Sequence, residues 1–421
     1  MMPVELLLSS ISRVAIDGQT SRTMRDVLSK SIDWREVLRK AEKSGVTALL
    51  YHNLKEADLE LLVPPDVLSV LKHTYITNGV RNMALLREAE LLVQMLDREC
   101  LPAIVLKGTA LLATAYPTIA MRRMCDIDLL FRPHHLPRAA AVLVANGFTH
   151  LEKGDLAEGY ATDFVRQDRM GAVEIGASVE LHAELVSEKA PFTIDLDALW
   201  ARAIAIRIGR TDMMALSVED QVHNLAAHLF THHFAPAWQW RNMCDLSAIL
   251  RTYGSGGIDW DYLLQSSREY RTAGAVFLML NSLDESLKPP PLTLFLDRLK
   301  PVIDEMGIAE SVSALGRHLP RYDMDALSLR PSTVTDMVEE PSLLGKVRIA
   351  LSNLNSTRRL IAFHGLNETR REQPSLVRAL RSLKLVTKYN LSSIRMAYLI
   401  GKLSKETRKE PVRDRTLRGY G

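Results

Sequence analysis

Two aspartates two residues apart, Asp126 and Asp128 in the run DIDLLF, carry the first chemical signal in the chain. In a strand, side chains two apart share a face, so both carboxylates project together while Ile127 and Leu129 turn the other way into a core. Such a pair suits a hard divalent cation, Mg2+ or Mn2+, which takes several oxygen ligands and shares them with substrate phosphates. Phosphoryl and nucleotidyl transfer ask little covalent chemistry of a protein; they need charge neutralisation and an aligned hydroxyl. A third acid on a neighbouring strand would complete the metal site and act on the incoming hydroxyl. Glu180 in VELHAEL is the first choice, because Val179 and Leu181 flank it with apolar side chains, and Glu184 is the reserve. His182 is expected on the face opposite Glu180, where it serves the fold.

A phosphate-binding turn is the second signal. Leu106 to Leu112, LKGTALL, sets Gly108 at a strand-to-helix junction, where backbone N–H groups and a helix N-terminus can hold phosphate. Lys107 and Thr109 add a cation and a hydroxyl to that turn. Arg122 and Arg123 precede the acids and pair either with triphosphate oxygens or with the carboxylates themselves. His223, His228, His232 and His233 crowd one helix. His228 and His232 have the spacing of a zinc pair, but Leu229 stands where an HExxH site would have Glu, so a substrate contact or partly buried histidines are the alternatives. In WQWRNMCDL, Trp238 and Trp240 either stack on a base or fill the core of an amphipathic helix.

The elements that must position these residues follow from periodicity. Apolar residues at spacings of three and four predict helices over Trp34–Asn53 and Val67–Leu101, so residues 1–100 form an N-terminal helical region. Ile104, Val105 and Leu106 predict a first strand that stops at a glycine, a short helical piece follows at Ala110–Ala115, and Asp126–Phe131 is the second strand. His134–Asn146 reads as a helix closed by Gly147, and Val179–Leu185 as a third strand after a stretch with room for a hairpin. Residues 101–200 are thus an α/β core. Beyond Asp195 the pattern is helical again, residues 201–287 forming a helical domain with Ser217 and Asp220 capping its first long helix. Residues 288–344 carry PPP without a sustained period and read as a linker or irregular segment, and residues 345–421 as a basic helical region with a frayed end.

The composition excludes several classes. A chain of 421 residues with 47% hydrophobic content fills two or three ordinary cores, and 24% charged residues with a net charge of +3 fit neither disorder nor a dedicated nucleic-acid binder. The charge is uneven: Pro341–Gly421 holds 18 Lys and Arg against 5 Asp and Glu, so this tail offers a contact for a polyanion. Cys100, Cys125 and Cys244 are odd in number and far apart, which fits neither a disulfide framework nor a CxxC zinc site. With no export signal and no long apolar run, a cytoplasmic protein without a transmembrane segment is expected.

The segment VLKGTALLATAYPTIAMRRMCDIDLLF resembles the core signature of the DNA polymerase β-like nucleotidyltransferase superfamily: strand, Gly-containing turn, helix, then Asp-hydrophobic-Asp on the next strand. It is most similar to the bacterial family described as uncharacterised nucleotidyltransferase, which has an LKG turn, an Arg upstream of DxDLL, a later segment like ELHAEL and a helix beginning LSxED. The likeness runs from about Val67 to Leu283. It implies an α+β fold, a small mixed-sheet nucleotidyltransferase core flanked by N-terminal and C-terminal helical regions. It also implies metal binding by Asp126 and Asp128, Glu180 as third carboxylate, and Gly108 with Thr109 at the nucleotide phosphates. Thr109 stands where Ser or Gly is usual, and keeps the hydroxyl; Cys125 stands where a small residue is expected. The implied reaction moves a nucleoside monophosphate from an NTP to a hydroxyl of a peptide, protein, small molecule or RNA. The alternatives are a non-catalytic nucleotide-binding sensor or scaffold of the same fold, and a nucleic-acid adaptor driven by the basic tail.

Overall fold

The computed structural model describes residues 3–151, 161–170, 173–186, 190–232, 236–283, 287–318 and 406. It opens with five helices: α1 (Pro3–Ser10), α2 (Gly18–Leu28), α3 (Trp34–Lys43), α4 (Thr47–Glu56) and α5 (Pro65–Arg98). Asp17 and Asp33 start α2 and α3 as N-caps, accepting from the Thr20 and Glu36 amides at 2.7 and 3.1 Å. The single helix expected over Trp34–Asn53 is two, because Gly45 adopts φ +69°, a left-handed stop that ends α3. The 34 residues of α5 make a rod about 50 Å long. Asn53, fully buried on α4, ties the first segment down by donating to the Ile11 and Arg13 carbonyls at 3.1 and 2.9 Å.

The central block alternates: β1 (Ile104–Val105), α6 (Lys107–Thr114), β2 (Ile127–Leu130), α7 (Leu136–Ala145), β3 (Thr149–His150), β4 (Ala161–Met170), β5 (Val173–His182), α8 (Leu196–Arg202), β6 (Ile204–Ile208) and β7 (Thr211–Ala215). All seven strands form one mixed sheet in the order β3-β4-β5-β2-β1-β7-β6, so the fold is α+β with helical flanks. β4 and β5 are the hairpin for which room was expected. The hairpin β6–β7 was not expected; residues 204–215 lie in the stretch read as helical, yet β7 pairs with β1 in parallel and β6 adds to β7 antiparallel, extending the core sheet past residue 200.

Helices close the described part: α9 (Val218–His232), α10 (Pro236–Tyr253), α11 (Trp260–Glu269), α12 (Ala273–Asn281), α13 (Pro290–Glu305) and α14 (Ala309–His318). Ser217 caps α9 as its spacing predicts, accepting from the Asp220 amide at 3.2 Å and donating to the Asp220 carboxylate at 2.8 Å. α13 and α14 correct the reading of residues 288–344 as linker. The prolines sit at the first turn of α13, where a missing N–H is harmless, and Leu292, Phe295, Leu296, Leu299, Val302 and Ile303 are buried at helical spacing. The rest of that segment and the basic region, apart from Glu406, lie outside the described residues. One continuous apolar core joins side chains from Val4 to Leu315. Among the described residues no helix is long and apolar enough to cross a membrane, and Cys100, Cys125 and Cys244 are free thiols.

α9, α11 and α12 meet around His223, which is fully buried. Ser266 donates its hydroxyl to the Tyr262 carbonyl at 2.7 Å, so its oxygen accepts from His223 Nε2 at 2.7 Å, and Thr272 donates to Nδ1 at 2.9 Å. This network assigns a neutral ring with both nitrogens satisfied, and burial, then the Arg202 charge, pushes its pKa down to about 3. The histidine crowded with His228 is therefore a core residue. Because the folded pKa lies below the unfolded value, this group's contribution is intact above about pH 6.5 and is lost as pH falls toward 3. Asp220, raised to about 6 mainly by burial, acts in the opposite direction over the upper part of that window. Urea unfolding of wild type and His223→Gln between pH 7 and 4 separates the two: the wild type should lose stability with falling pH more steeply by about 1 kcal/mol per pH unit. Parallel profiles would remove His223 as the source.

Candidate active site

β2 and β5 run parallel in a register that sets Ile127 opposite Val179, Asp128 opposite Glu180, Leu129 opposite Leu181 and Leu130 opposite His182. Alternation then sorts the pair into two faces. Ile127, Leu129, Val179 and Leu181 are fully buried in the main core, on the side where α5 and α7 pack. Asp128, Glu180 and His182 share the other face. His182 was expected opposite Glu180 but lies two residues from it, and period two puts it on the same side: its Nε2 is 3.0 Å from Asp128 Oδ1 and 3.1 Å from Glu180 Oε2. Counting by two from Glu180 would have found it. Among the described residues these three are the group whose ligand atoms gather tightly enough for one ion, all within 4.8 Å of one another.

The turn after β1 delivers a cation to the same point. Leu106 N donates to the Asp128 carbonyl at 3.0 Å, tying the junction to β2. Lys107 begins α6 with φ +44°, uncommon for a side chain larger than glycine's, and its Nζ donates to Asp128 Oδ1 at 2.7 Å and lies 3.5 Å from Glu180 Oε2. Burial alone would raise the Asp128 pKa, but the Lys107 charge and the His182 hydrogen bond outweigh it and hold this carboxyl well below the usual range. Burial also works against a charged His182, yet its bonds to Asp128 and Glu180 raise its pKa. Asp126 stands just before β2 on the exposed side of the cavity. Desolvation by the walls around it, then the Asp128 charge, raise its pKa.

The loop carrying the acids is pinned from beneath. Asn82 on α5 donates to the carbonyls of Ile119 and Arg122 at 2.5 and 2.6 Å and accepts from the Met124 amide at 3.3 Å, while Asn78, one turn earlier, donates to Ala120 at 2.6 Å. Arg122 is buried and makes a two-pronged pair with Asp245 of α10, Nε to Oδ1 at 2.8 Å and Nη2 to Oδ2 at 3.0 Å; Tyr116 adds a third bond to Asp245 at 2.6 Å. The carboxylate partner of Arg122 is thus Asp245 and not the Asp126–Asp128 pair, and its Nη1 also donates to the Arg123 carbonyl at 3.4 Å. Gly108 is required by this packing, because a Cβ there would meet Arg122 Nη1 at 2.8 Å and Met124 Cγ at 2.9 Å.

These elements enclose a cavity of about 330 Å3, within the range of small-ligand sites. Its wall includes Asp126, Asp128, Glu180 and His182 together with Lys107, Gly108, Arg122, Arg123 and Arg241. His228 and Asn224, one helical turn apart on α9, also line it. Thr109, expected at the phosphates, is fully buried with its hydroxyl 3.8 Å from Met124 Sδ and is not on the cavity wall; one more residue along the helix rotates its side chain into the core. Glu184 follows the end of β5 and is likewise not on that wall. Trp240 packs partly buried against the core. The His232 and Trp238 side chains and all of His233 fall outside the described residues. Arg241 was overlooked in the sequence because its segment was read for its tryptophans; it precedes Asp245 by one helical turn.

The chain matches the model of the uncharacterised nucleotidyltransferase family over residues 30–287, more than half its length. It belongs to that family. No curated protein and no solved structure matches it. This nucleotidyltransferase is therefore a transferase in class, and it carries a buried Asp-Glu-His group able to bind a metal.

The Arg122–Asp245 pair supports the site's geometry through a desolvated charge contact. Removing one partner strands the other, at a cost of about 3–5 kcal/mol. Asp245→Asn should lose that much in urea unfolding, whereas Arg122→Met with Asp245→Leu should lose less than the two single changes added together. Additive losses would show that the two residues do not act as a unit.

Proposed function

We propose that this nucleotidyltransferase uses Mg2+ or Mn2+ to transfer a nucleoside monophosphate from an NTP to a hydroxyl acceptor, with Asp126, Asp128 and Glu180 as the metal-binding and catalytic acids. The observation that carries the reading is the lining of one cavity, which brings the acids Asp126, Asp128 and Glu180 together with the cations Lys107, Arg122, Arg123 and Arg241. A metal–triphosphate complex offers charges complementary to both sets. The donor set fits a hard divalent cation, since carboxylate oxygens dominate it, and the single imidazole favours Mn2+ over Mg2+ as a direct ligand. When bound, the ion would neutralise phosphate charge and draw the α-phosphate toward the acids.

The chain's own residues do the rest. Lys107, the Gly108 backbone, Arg123 and Arg241 hold phosphate oxygens, and Arg122, locked by Asp245, adds positive potential beneath them. His182 orients the Asp128 and Glu180 carboxylates by hydrogen bonding to both. Glu180, whose side chain is 25% exposed against 3% for Asp128, is open enough to take the proton of the attacking hydroxyl. The acceptor oxygen bonds to the α-phosphorus as the bond to the bridging oxygen breaks, and pyrophosphate leaves. The acceptor is a peptide, protein, small molecule or RNA, and the basic region from Pro341 onward offers it, or another polyanion, an electrostatic contact.

Pyrophosphate release measured with each NTP, Mg2+ or Mn2+ and a panel of hydroxyl acceptors is the test. Asp126→Asn and Asp128→Asn should each lower kcat by about two orders of magnitude or more, and Arg241→Met should raise the KM for NTP by about tenfold with a smaller change in kcat. Equal rates for wild type and both aspartate variants under every condition would overturn the reading. NTP- and metal-dependent thermal stabilisation without pyrophosphate release would point instead to a nucleotide sensor or scaffold.

A further inference from the structure

The two oxygens best placed to receive a cation already have one. Asp128 Oδ1 lies 2.7 Å from Lys107 Nζ and 3.0 Å from His182 Nε2, and Glu180 Oε2 lies 3.5 Å and 3.1 Å from the same two nitrogens. The ammonium therefore occupies the space around which Asp128, Glu180 and His182 gather. A divalent ion bound to those oxygens and an ammonium held against the same oxygens would repel each other at close range in a poorly hydrated pocket. One must yield, and the lysine can. Its backbone is fixed at the first position of α6, but its four-carbon stem lets the charged end swing while Gly108 and the helix stay in place. Among the described residues lining the cavity, the anions are Asp126, Asp128 and Glu180, the acids an ion would itself draw on, so a displaced ammonium gains a fresh partner when a polyanion is present.

We propose that Lys107 is the resident counter-ion of the Asp128–Glu180 site, holding a divalent cation off until a nucleoside triphosphate supplies another anion for the ammonium. The inference rests on the nucleotidyltransfer reading and adds an order to it: metal enters with the nucleotide. Linkage makes the effect reciprocal, so nucleotide tightens metal binding and metal tightens nucleotide binding, both through one side chain. Lys107 is then a positioning residue whose loss strengthens metal binding in the nucleotide-free protein. A purely structural role predicts the opposite.

Binding of Mn2+ to the full chain, followed by the loss of the free-ion electron paramagnetic resonance signal, tests this without turnover. Wild type, Lys107→Met, Lys107→Gln, Lys107→Arg and Asp128→Asn are titrated alone and with α,β-methylene analogues of ATP and GTP, and folding is checked by thermal melting. Without nucleotide, the Met and Gln variants should bind Mn2+ about tenfold tighter than wild type, and the Arg variant should stay near wild type. An analogue should tighten Mn2+ binding to wild type by about tenfold or more and to the neutral variants much less. Equal or weaker Mn2+ binding by the folded neutral variants overturns the proposal. If wild type binds Mn2+ with an analogue in an Asp128-dependent way while the neutral variants without nucleotide bind Mn2+ no tighter than wild type, the proposal alone falls. If no analogue produces Asp128-dependent Mn2+ binding, the metal–nucleotide reading falls and takes the proposal with it.

Discussion

Asp128 and Glu180 face each other across β2 and β5 because the opposite face of the same two strands is wholly apolar. Ile127, Leu129, Val179 and Leu181 each have essentially no exposed surface, and burying such a side chain is worth about 2 kcal/mol. A slip of one residue in either strand would carry its apolar side chains to the polar face and an acid into the core. That penalty far exceeds the repulsion between two carboxylates partly neutralised by Lys107 and His182. The core thus fixes the position of the acids, and the turn after β1 supplies the charge that makes the register tolerable.

The second constraint is the joint between the loop before β2 and α10. A buried ion pair is weak support for stability in general, because desolvation offsets most of the attraction. Its value here is geometric. Arg122 and Asp245 meet through two parallel hydrogen bonds, Tyr116 closes the cluster, and no one-residue shift of α10 preserves that fit. Arg241 lies one turn before Asp245 and reaches the cavity as a consequence. α10 also bonds back to the end of α6 through Thr252 and Tyr253, so the helix that carries Arg241 to the cavity is anchored to the helix that begins at Lys107.

What was legible in the sequence was local. The run around Ile104, the strand place of Asp128, the glycine turn and Glu180 could be read because strand alternation and turn chemistry act over a few residues, whereas Asp126, expected on the strand with Asp128, stands just before β2 and outside the Asp128–Glu180–His182 group. The family likeness rested on those same residues. The parts that escaped are set by distance or by competing signals. Arg122 and its partner are separated by 123 residues, and no spacing rule links them. β6 and β7 are five residues each, carry Arg, Asp and Thr, and sit directly after a helix, so the helical pattern around them masked a hairpin whose pairing comes from β1. The start of α13 hid behind prolines that mark loops as often as first helical turns. His182 was a miscount of faces.

The site's charges are arranged at a cost that the fold does not recover by itself. Burial, then the Arg122 charge, lower the pKa of Arg241 to about 10, and burial, then Asp128, raise that of Asp126. Each shift means that the charged form is less stable where the protein holds it than in water. One is a cation beside a cation and the other an acid beside an acid, and both line a single cavity. Lys107 offsets part of the acid repulsion by donating to Asp128, and Asp245 neutralises Arg122 on the same wall, yet Arg241 and Asp126 keep their unfavourable shifts. Perturbed charges lining a cavity are the mark of a candidate site, whereas His223, buried with both ring nitrogens satisfied, is a core group.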